Sequence, residues 1–431
     1  MNYLIIGNGV ASVAAIEGIR QHDPDGPITV VSREPVKTYG RPLISYLLAG
    51  KIKPAALWYR PDSFYKKNKV VQELGVRIVS INPVTKKAYA EGDREFAYDK
   101  CLIATGGAPY IPEIKGLEGP GVHCFTTLAH AEELLAALKG VERCTVVGAG
   151  LIALKAAEGL AARGVKVTLM VRSRIMRAYF DETAGDMLVD HLREQGVEFA
   201  LGAAPRAIER DETGKIVAVT TNQGRIETDL VVLAAGVRPE TGLAESAGAK
   251  CATGVLVDEF LRTSVADIYA AGDVTEAVDL ITGQRRVIPI WPNAYHQGLY
   301  AGQNMAGGEL RYPGTLSMNS IAYFGLPTQS VGLVNPPQGD TRYQSFAKQD
   351  KRAKRYRKLV FEGDRLVGYV LVGDIEPSGV YTTFVQYGFP VDEELRKRLV
   401  AGEAGVLSWP HKFFDQSFSP KMYEAAPART R

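Results

Sequence analysis

The sequence predicts an α/β protein in which one structural unit occurs twice and is followed by a smaller α+β module. Two observations carry this prediction. A short apolar run meets a glycine-rich turn and a helical stretch at Gly7, and the same pattern returns at Gly148. Each copy later ends in a second apolar run that leads into small residues, at Gly106 and at Gly236. Repetition at this length indicates duplicated domains rather than a solenoid.

The composition is that of a globular protein without a dominant charge. Among 431 residues, 46% are hydrophobic and 23% are charged, and the formal net charge is +3. These values argue against a disordered chain or a coiled coil, and they give no support to nucleic-acid binding by the whole chain. No apolar run reaches the ~18 residues that a membrane span needs, and the first residues lack the features of a signal peptide. We therefore expect a cytoplasmic protein.

The cysteines and histidines argue against two common kinds of site. Cys101, Cys124, Cys144 and Cys251 are far apart, and no CxxC pair occurs. This spacing excludes a zinc clip and a closely spaced redox disulfide, and it fits free thiols in a reducing compartment. The 6 histidines are scattered, so we expect no metal site.

The first copy has the pattern of a site for a nucleotide pyrophosphate. Residues 3–6 predict a strand, residues 13–20 a helix, and residues 28–31 a second strand that Glu34 follows. The glycines let backbone approach a pyrophosphate, which the helix amino terminus attracts, and Glu34 would accept hydrogen bonds from a ribose. Ser12 replaces the third glycine of the usual fingerprint. The predicted contacts are Gly7, Gly9, Val10, Ala11 and Glu34.

The second copy repeats this pattern. Residues 145–147 lead into the turn, a helix is predicted to about Arg163, and a strand follows over residues 165–171. Both copies continue through β-type segments with turn signals, which predict a small antiparallel layer before the last strand. The predicted contacts in the second copy are Gly148, Gly150, Leu151 and Ile152, and the closing turns of the two copies add Ala104, Thr105, Gly106 and Gly236.

Together these residues resemble the pyridine nucleotide–disulfide oxidoreductases, which are flavoproteins with two dinucleotide-binding domains. The motif that runs from Thr263 to Asp273 adds to the resemblance, which implies that Gly272 and Asp273 contact FAD. It also implies two Rossmann-like three-layer domains, with FAD in the first site and the nicotinamide cofactor in the second.

The resemblance further divides the chain into domains. The FAD domain would comprise residues 1–112 and 243–312, and the NAD(P)H-binding domain residues 113–242. Residues 313–431 would form an α+β interface domain. Within it we predict a hairpin and two helices, over residues 357–373, 378–386 and 392–401. A domain of this kind often forms a dimer interface, so a homodimer is favoured, and a monomer with the same fold is the alternative.

Within the family, the similarity is greatest to rubredoxin reductases and to the NAD(P)H-binding flavoprotein part of nitrite reductases. Segments 39–51 and 291–307 carry it. It implies that five residues lie near the flavin: Arg41, Pro42, Lys51, Trp291 and Pro292. Arg41 and Lys51 become the candidate catalytic residues because a cation stabilises the negative charge of reduced flavin. The alternative is that these two residues flank a solvated helix over residues 43–48.

No cysteine stands in segment 39–51, where disulfide reductases of this family carry a pair and their peroxidase and oxidase relatives keep one. Thiol chemistry therefore has no carrier, and Cys101 is interpreted as a core residue. The resemblance then implies an enzyme that passes hydride from NAD(P)H to FAD and electrons to a protein acceptor of the ferredoxin or rubredoxin type. Two alternatives stay open: an NAD(P)H oxidase or peroxidase, and a redox-sensing flavoprotein with slow turnover.

The residues after the second strand of the second copy favour NADPH as the reductant. An NAD-specific site usually has an acidic residue there, whereas this chain has Val171 and Arg172, with Arg174 and Arg177 close by. A guanidinium can hold a 2′-phosphate through two hydrogen bonds. NADH stays possible if these arginines are only solvated surface charges.

Three features have no assigned role at this point. Lys155 stands where many relatives have glutamate, and it either pairs with a carboxylate such as Glu158 or faces the active-site cleft. The basic run over residues 351–358 fits an acidic electron carrier or a solvated loop and edge strand. The aromatic segment 409–418 is expected to pack on its own domain or on a partner.

Overall fold

The computed structural model of the chain describes residues 1–403, 405, 408 and 409. The first stretch of elements consists of β1 (Tyr3–Ile6), α1 (Val10–His22), β2 (Ile28–Ser32), α2 (Ile44–Leu48), α3 (Ser63–Lys67), β3 (Val70–Leu74), β4 (Ile78–Asn82), β5 (Lys87–Ala90), β6 (Glu95–Ala97) and β7 (Lys100–Ile103). Short 3-10 helices lie at Arg41–Leu43 and Pro54–Leu57.

The second stretch consists of β8 (Gly107–Pro109), β9 (Val122–Cys124), α4 (Leu128–Ala137), β10 (Arg143–Val147), α5 (Leu151–Ala161), β11 (Lys166–Val171), α6 (Glu182–Glu194), β12 (Glu198–Leu201), β13 (Pro205–Arg210), β14 (Ile216–Thr221), β15 (Gly224–Glu227), β16 (Leu230–Leu233) and β17 (Val237–Pro239).

The third stretch consists of α7 (Gly242–Ser246), β18 (Val255–Leu256), β19 (Ile268–Ala270), β20 (Thr275–Val278), β21 (Arg285–Arg286), α8 (Trp291–Met305), β22 (Met318–Tyr323), β23 (Leu326–Gly332), β24 (Tyr343–Asp350), β25 (Arg355–Glu362), β26 (Arg365–Val372), α9 (Ser378–Tyr387) and α10 (Glu393–Ala401).

Two five-stranded sheets share one strand order. It is β3-β2-β1-β7-β19 in the first sheet and β12-β11-β10-β16-β9 in the second, and all neighbouring strands are parallel. The strand that precedes each glycine-rich turn, β1 or β10, is central. All four residues of β1 and of β16 are apolar and buried, as expected where helices or other layers cover both faces. The predicted fold class, two α/β units and a C-terminal α+β module, is confirmed.

The two sheets differ in where their fifth strand comes from. β9 precedes the rest of its sheet in the sequence, whereas β19 follows the whole second unit and returns beside β7, with Ile268 opposite Cys101. The first sheet is therefore built from two separate stretches of chain. A short antiparallel pair, β8 with β17, connects the two units. The small antiparallel layer predicted in each unit is present: it is the sheet β4-β5-β6 in the first unit and the sheet β13-β14-β15 in the second.

The C-terminal sheet is antiparallel, in the order β22-β23-β26-β25-β24. Its apolar face packs on α9 and α10 around a core that includes Tyr369, Tyr381 and Phe384. The predicted hairpin and both predicted helices are present. Residues 355–358 lie on β25, between β24 and β26, so the interpretation of this half of the basic run as an edge strand is wrong. β24 is the edge.

The described part of the chain ends soon after α10. Trp409 packs against the C-terminal core, and the rest of segment 409–418, which was predicted to pack on its own domain or a partner, lies outside the described residues. Among the described residues, no helix has the length and apolar composition to cross a bilayer.

Candidate functional site

The two glycine-rich turns have the same backbone geometry. Gly7 has φ +113° and Gly148 has φ +148°, values that L side chains rarely adopt. A β-carbon on Gly7 would lie 2.2 Å from the carbonyl oxygen of Ala104, and one on Gly148 would lie 2.2 Å from that of Ala234. In each unit, the turn therefore passes too close to the end of the neighbouring strand for any side chain.

The second glycine of each turn leaves open space in front of a helix. Gly9 precedes α1 and Gly150 precedes α5, and no side chain caps either helix start. A β-carbon on either glycine would meet nothing within 4 Å. The free N–H groups of the first helical turns, which contain Val10, Ala11, Leu151 and Ile152, can thus bind a phosphate. Both cradles fit the pyrophosphates of FAD and NAD(P)H.

Ser12 does not disturb the first cradle. Its side chain is fully buried, and its hydroxyl donates to the carbonyl oxygen of Gly7 at 2.8 Å. The residue that replaces the third glycine is therefore satisfied within the turn itself.

Glu34, the predicted ribose ligand, is oriented by two neighbours. Arg41 Nη2 lies 2.6 Å from Glu34 Oε1, and the Tyr39 hydroxyl donates to Glu34 Oε2 at 2.8 Å. Burial alone would raise the pKa of Glu34, but the charge of Arg41 and the hydrogen bonds hold that pKa below its ordinary value. The carboxylate is ionised, and each oxygen keeps a lone pair for a ribose hydroxyl.

Arg41 lies beside this carboxylate and also donates from Nη1 to the carbonyl oxygen of Thr126 at 2.8 Å. The 3-10 helix that contains Pro42 leads into α2, in which four of five residues are buried. The alternative of a solvated helix is therefore wrong. The predicted role of Arg41 and Pro42 near the flavin stays a prediction.

Asp273 lies at the carboxyl end of the first sheet, and its carboxyl group has no partner among the described residues. Its carboxylate makes no hydrogen bond or ion pair within the described residues. Burial raises the pKa of Asp273 to about 6, and the charge of Arg41 opposes that rise. The N–H of Gly272 donates to the buried Gln297 Oε1 at 2.7 Å, which fixes the turn. This arrangement fits a ligand hydroxyl that donates to Asp273.

The closing turns connect the two units. Thr105 Oγ1 donates to the carbonyl oxygen of Glu240 at 3.0 Å, and the N–H of Glu240 donates to the carbonyl oxygen of Gly106 at 3.0 Å. The N–H of Tyr110 donates to the carbonyl oxygen of Gly236 at 2.9 Å. The strand ends that form the two cradles are therefore held together by two backbone hydrogen bonds and by one from the Thr105 side chain.

Trp291 and Pro292 form the first turn of α8. The Trp291 ring meets the Tyr59 ring edge to face, with centroids 5.1 Å apart. No side chain caps this helix start, so its N–H groups are available to a ligand. A place beside the flavin stays a prediction for both residues.

Lys51 and Lys155 share one carboxylate. Lys51 Nζ lies 2.8 Å from Glu158 Oε1, and Lys155 Nζ lies 2.5 Å from Glu158 Oε2. Burial would raise the pKa of Glu158, but the hydrogen bonds from both lysines hold it below its ordinary value. The pairing of Lys155 with Glu158 is confirmed. Lys155 also donates to the carbonyl oxygen of Ala322 in β22.

The three arginines that follow β11 are free to bind an anion. Within the described residues, the side chains of Arg172, Arg174 and Arg177 make no hydrogen bond or ion pair. Residues 172–180 contain no acid, and the N–H of Met176 donates to the carbonyl oxygen of Ala149 at 2.7 Å. This hydrogen bond folds the arginine-bearing loop against the second glycine-rich turn.

Sequence reasoning missed two residues that support the site, Tyr39 and Gln297, and it also missed that Glu158, the predicted partner of Lys155, pairs with Lys51. Tyr39 receives a hydrogen bond from the N–H of Leu128 at 2.9 Å while it donates to Glu34. Gln297 holds Gly272, and Glu158 neutralises Lys51. A polar residue inside the apolar face of α8 was the one available signal for Gln297. Within the part of the chain that the structure describes, no three His, Cys, Asp or Glu side chains form a metal cluster.

Two families match consecutive parts of the chain. The family described as pyridine nucleotide-disulphide oxidoreductase matches residues 1–298, and the rubredoxin NAD+ reductase C-terminal domain matches residues 318–387. The epsilon subunit of NADH-dependent phenylglyoxylate dehydrogenase from Aromatoleum evansii is 32% identical over 409 residues, which is 94% of this chain and 96% of that protein.

Two further relatives extend the comparison. Nitrite reductase [NAD(P)H] of Bacillus subtilis is 29% identical over 394 residues, 90% of this chain and 48% of that protein, so the chain spans about half of it. An engineered water-forming NADPH oxidase bound to NADPH superimposes on this chain with a TM-score of 0.84 at 28% identity. The superposition covers 90% of this chain and 92% of the oxidase chain. The predicted similarity to rubredoxin and nitrite reductases is confirmed.

Proposed function

The chain belongs to the pyridine nucleotide-disulphide oxidoreductase family, whose enzymes use FAD and NAD(P)H, and from that premise we propose that it moves electrons from NADPH through FAD to a protein acceptor of the ferredoxin or rubredoxin type. FAD, when bound, supplies the ability to accept a hydride and to release electrons singly. One NADPH then reduces two one-electron carriers and yields NADP⁺ and one proton.

The observation that carries this proposal is the placement of the four cysteines. All four are free thiols. Cys101 and Cys144 are fully buried in the central sheets, where burial raises the pKa of each thiol. Burial also raises the pKa of Cys124 and of Cys251. A thiol with a raised pKa is a poor nucleophile, and none of the four lies in segment 39–51, so electrons have no sulfur relay.

The side chains of this chain then have positioning roles. Glu34 and Asp273 would accept hydrogen bonds from hydroxyl groups of FAD, and the N–H groups that follow Gly9 and Gly150 would bind the two pyrophosphates. Lys51 would present its ammonium group at the flavin, with Glu158 fixing its direction. Hydride transfer itself asks for no acid or base, because its rate depends on how the two rings are held.

The proposed preference for NADPH is supported by the engineered NADPH oxidase. In that enzyme an aspartate became alanine, the next two residues became arginine and serine, and a glycine eighteen residues earlier became alanine. In this chain, Val171 is followed by Arg172 and Ser173, and Ala153 stands eighteen residues before Val171. The chain thus has the same residue type as the engineered enzyme at three of its five substituted positions, whereas Val171 stands in place of the alanine, and Ala178, seven residues after Val171, stands where the fifth substitution changed a proline to arginine.

A water-forming oxidase is the second candidate, because the engineered relative has that activity. The lack of a cysteine in segment 39–51 favours a protein acceptor over oxygen.

We also propose the domain division 1–112 with 243–312, 113–242 and 313–431, which agrees with the return of β19 to the first sheet. A homodimer and a cytoplasmic location are further proposals, the second supported by four free thiols.

A steady-state assay with a panel of acceptors tests the proposal. Purified holoenzyme is given NADPH or NADH and, in turn, a ferredoxin, a rubredoxin, oxygen and hydrogen peroxide. Fast reduction of an iron–sulfur protein supports the proposed function. Turnover with oxygen or peroxide alone supports the oxidase, and flavin reduction without turnover on any acceptor supports a redox-sensing protein.

A further inference from the structure

The hairpin that joins β24 to β25 carries four exposed cations without partners. Lys348, Lys351, Arg352 and Arg355, called here the basic tip, make no side-chain hydrogen bond or ion pair within the described residues. The formal net charge of the whole chain is +3, so four unpaired cations on one hairpin form a local concentration of positive charge. The nearby acid, Asp350, accepts the N–H of Ala353 at 3.0 Å and shapes the turn.

The adjacent cations of the same run are structural. Lys354 pairs with Glu194 at the end of α6, and Lys358 lies 3.3 Å from Asp181, with both side chains nearly buried. Arg357 donates to the carbonyl oxygen of Val400 at 3.2 Å. The contacts of Lys354 and Lys358 fix the hairpin against the second unit and that of Arg357 fixes it against α10, so the basic tip is presented by an anchored hairpin rather than by a free loop.

A cleft of about 320 Å³ lies next to this support and is lined by Lys51, Glu158, Gln195 and Phe324 among others. Gln195 follows the Glu194 that binds Lys354, and the His191 ring nitrogen Nε2 lies 3.3 Å from the carbonyl oxygen of Phe324. The wall of the cleft is therefore continuous with the support of the basic tip. Lys51, a residue predicted to lie near the flavin, also lines this cleft.

We propose that the basic tip and the adjacent cleft form the docking surface for an acidic iron–sulfur electron carrier. This inference rests on the proposed function, in which a protein takes the electrons. Four cations without partners among the described residues steer an acidic partner, and Lys51 lines the cleft beside their support. A long polyanion such as DNA fits less well, because a formal net charge of +3 gives the chain little overall attraction for it.

A matched pair of charge-reversal variants tests the surface. The tip variant is Lys348→Glu/Lys351→Glu/Arg352→Glu, and the control is Lys139→Glu/Lys166→Glu/Lys250→Glu, which reverses three exposed and unpaired lysines elsewhere. For each holoenzyme, binding of an acidic [2Fe–2S] ferredoxin is measured by calorimetry without nucleotide, at low and at physiological ionic strength. We would then measure kcat/KM for that ferredoxin and for menadione, which is a small uncharged acceptor.

The tip variant should bind ferredoxin at least about tenfold more weakly and lose a similar factor in kcat/KM, with a flatter salt dependence. Its melting temperature, its FAD content and its kcat/KM for menadione should match wild type, and the control should stay close to wild type throughout. Equal ferredoxin binding by the two variants overturns the proposal. So does wild-type binding of a DNA duplex or an anionic vesicle as tightly as ferredoxin at physiological salt.

Failure of the proposed function gives a different pattern. If neither NADPH nor NADH reduces bound FAD, the proposed function fails, and the calorimetric comparison still decides whether the basic tip docks ferredoxin. If wild type reduces menadione but does not bind ferredoxin, the docking surface is overturned while the flavin chemistry stands.

Discussion

Lys51 Nζ lies 2.8 Å from Glu158 Oε1, and this ion pair joins the segment after α2 to helix α5 of the second unit. Glu158 is 7% exposed, and its other oxygen binds Lys155, which in turn reaches β22 of the C-terminal sheet. One buried carboxylate thus connects three parts of the fold. Since the two lysines share a single counter-charge, the cluster keeps a net positive charge close to the predicted flavin site.

Replacing Glu158 should destabilise the protein. Glu158→Gln keeps the shape but leaves two ammonium groups without a counter-charge, so the free energy of unfolding at pH 7 should fall by about 1–3 kcal/mol. Because the pKa of Glu158 is lowered in the folded protein, its contribution is present above the ordinary carboxyl pKa of about 4.3 and disappears as pH falls through the lower folded-state value.

Urea denaturation of the apoprotein from pH 3 to pH 7 measures this effect, with the exposed Glu142→Gln as the control. The difference between wild type and Glu158→Gln should shrink at the acid end. A difference that persists unchanged below about pH 3 would show that packing, and not charge, explains the loss.

Alanine at the second glycine of each cradle should remove one ligand and spare the fold. Gly9 has φ −93°, Gly150 has φ −97°, and a β-carbon on either meets nothing within 4 Å. Gly9→Ala should therefore reduce bound FAD at an unchanged apoprotein melting temperature, because the new methyl group occupies the space of the pyrophosphate. Gly150→Ala should raise the KM for NADPH by about tenfold or more while FAD stays bound.

Absorbance of the bound flavin and thermal melting of the apoproteins give these values. Gly379→Ala, in helix α9 and away from both cradles, is the control because its β-carbon also meets nothing within 4 Å. Full FAD content in Gly9→Ala would mean that the first cradle does not hold the pyrophosphate.

The affinity for FAD should depend on pH through Asp273. Burial raises the pKa of this carboxyl to about 6 in the protein without ligand. A hydroxyl of FAD that donates to Asp273 favours the ionised form, so FAD should bind tightly above pH 6 and progressively less tightly as pH falls below it. Asp273→Asn should bind more weakly than wild type at pH 7.5.

Fluorescence titration of the apoprotein with FAD between pH 5 and pH 7.5 checks this dependence. Asp273→Asn should show a flat profile over that range. A wild-type profile that is equally flat would remove Asp273 from the contacts of FAD.

The preference for NADPH should depend on Arg172 and Arg174. Removal of a charge-assisted hydrogen bond to the 2′-phosphate costs about 1.5–3 kcal/mol, so Arg172→Ala/Arg174→Ala should lower kcat/KM for NADPH by roughly ten- to a hundredfold. The value for NADH should barely change, because NADH has a 2′-hydroxyl at that position. Arg206→Ala, an exposed arginine on β13, is the control. A wild-type enzyme that already prefers NADH strongly would contradict the assignment.

The sequence was sufficient for the parts of the fold that follow local patterns. Glycine spacing and apolar runs located both central strands, and the turn residues around Gly363 located the β25–β26 hairpin. The β22–β23 hairpin was not predicted, because β22 is partly exposed and β23, although largely buried, contains polar residues at Thr328, Gln329 and Ser330 in place of the apolar residues that indicate a strand. Strand β24 was missed because six of its eight residues are exposed and most of them are polar.

The site shows a similar division between local and distant contacts. Gly7 and Glu34 follow from spacing, because each stands directly after a strand that the pattern defines, whereas Asp273 was implied only by the family resemblance. The ion pair between Arg41 and Glu34 does not follow from local spacing, since the chain must fold back at Tyr39 before the two side chains meet. Gln297 reaches Gly272 from a helix that comes later in the sequence, and no local pattern contains such a contact.

Anaerobic titration of the purified holoenzyme with NADPH tests the central claim most directly, namely that electrons pass through FAD without a sulfur relay. The account predicts a yellow protein whose absorbance near 450 nm bleaches fully with one equivalent of NADPH per FAD. Consumption of a second equivalent, as a redox disulfide requires, or a protein that binds no flavin at all, would contradict it.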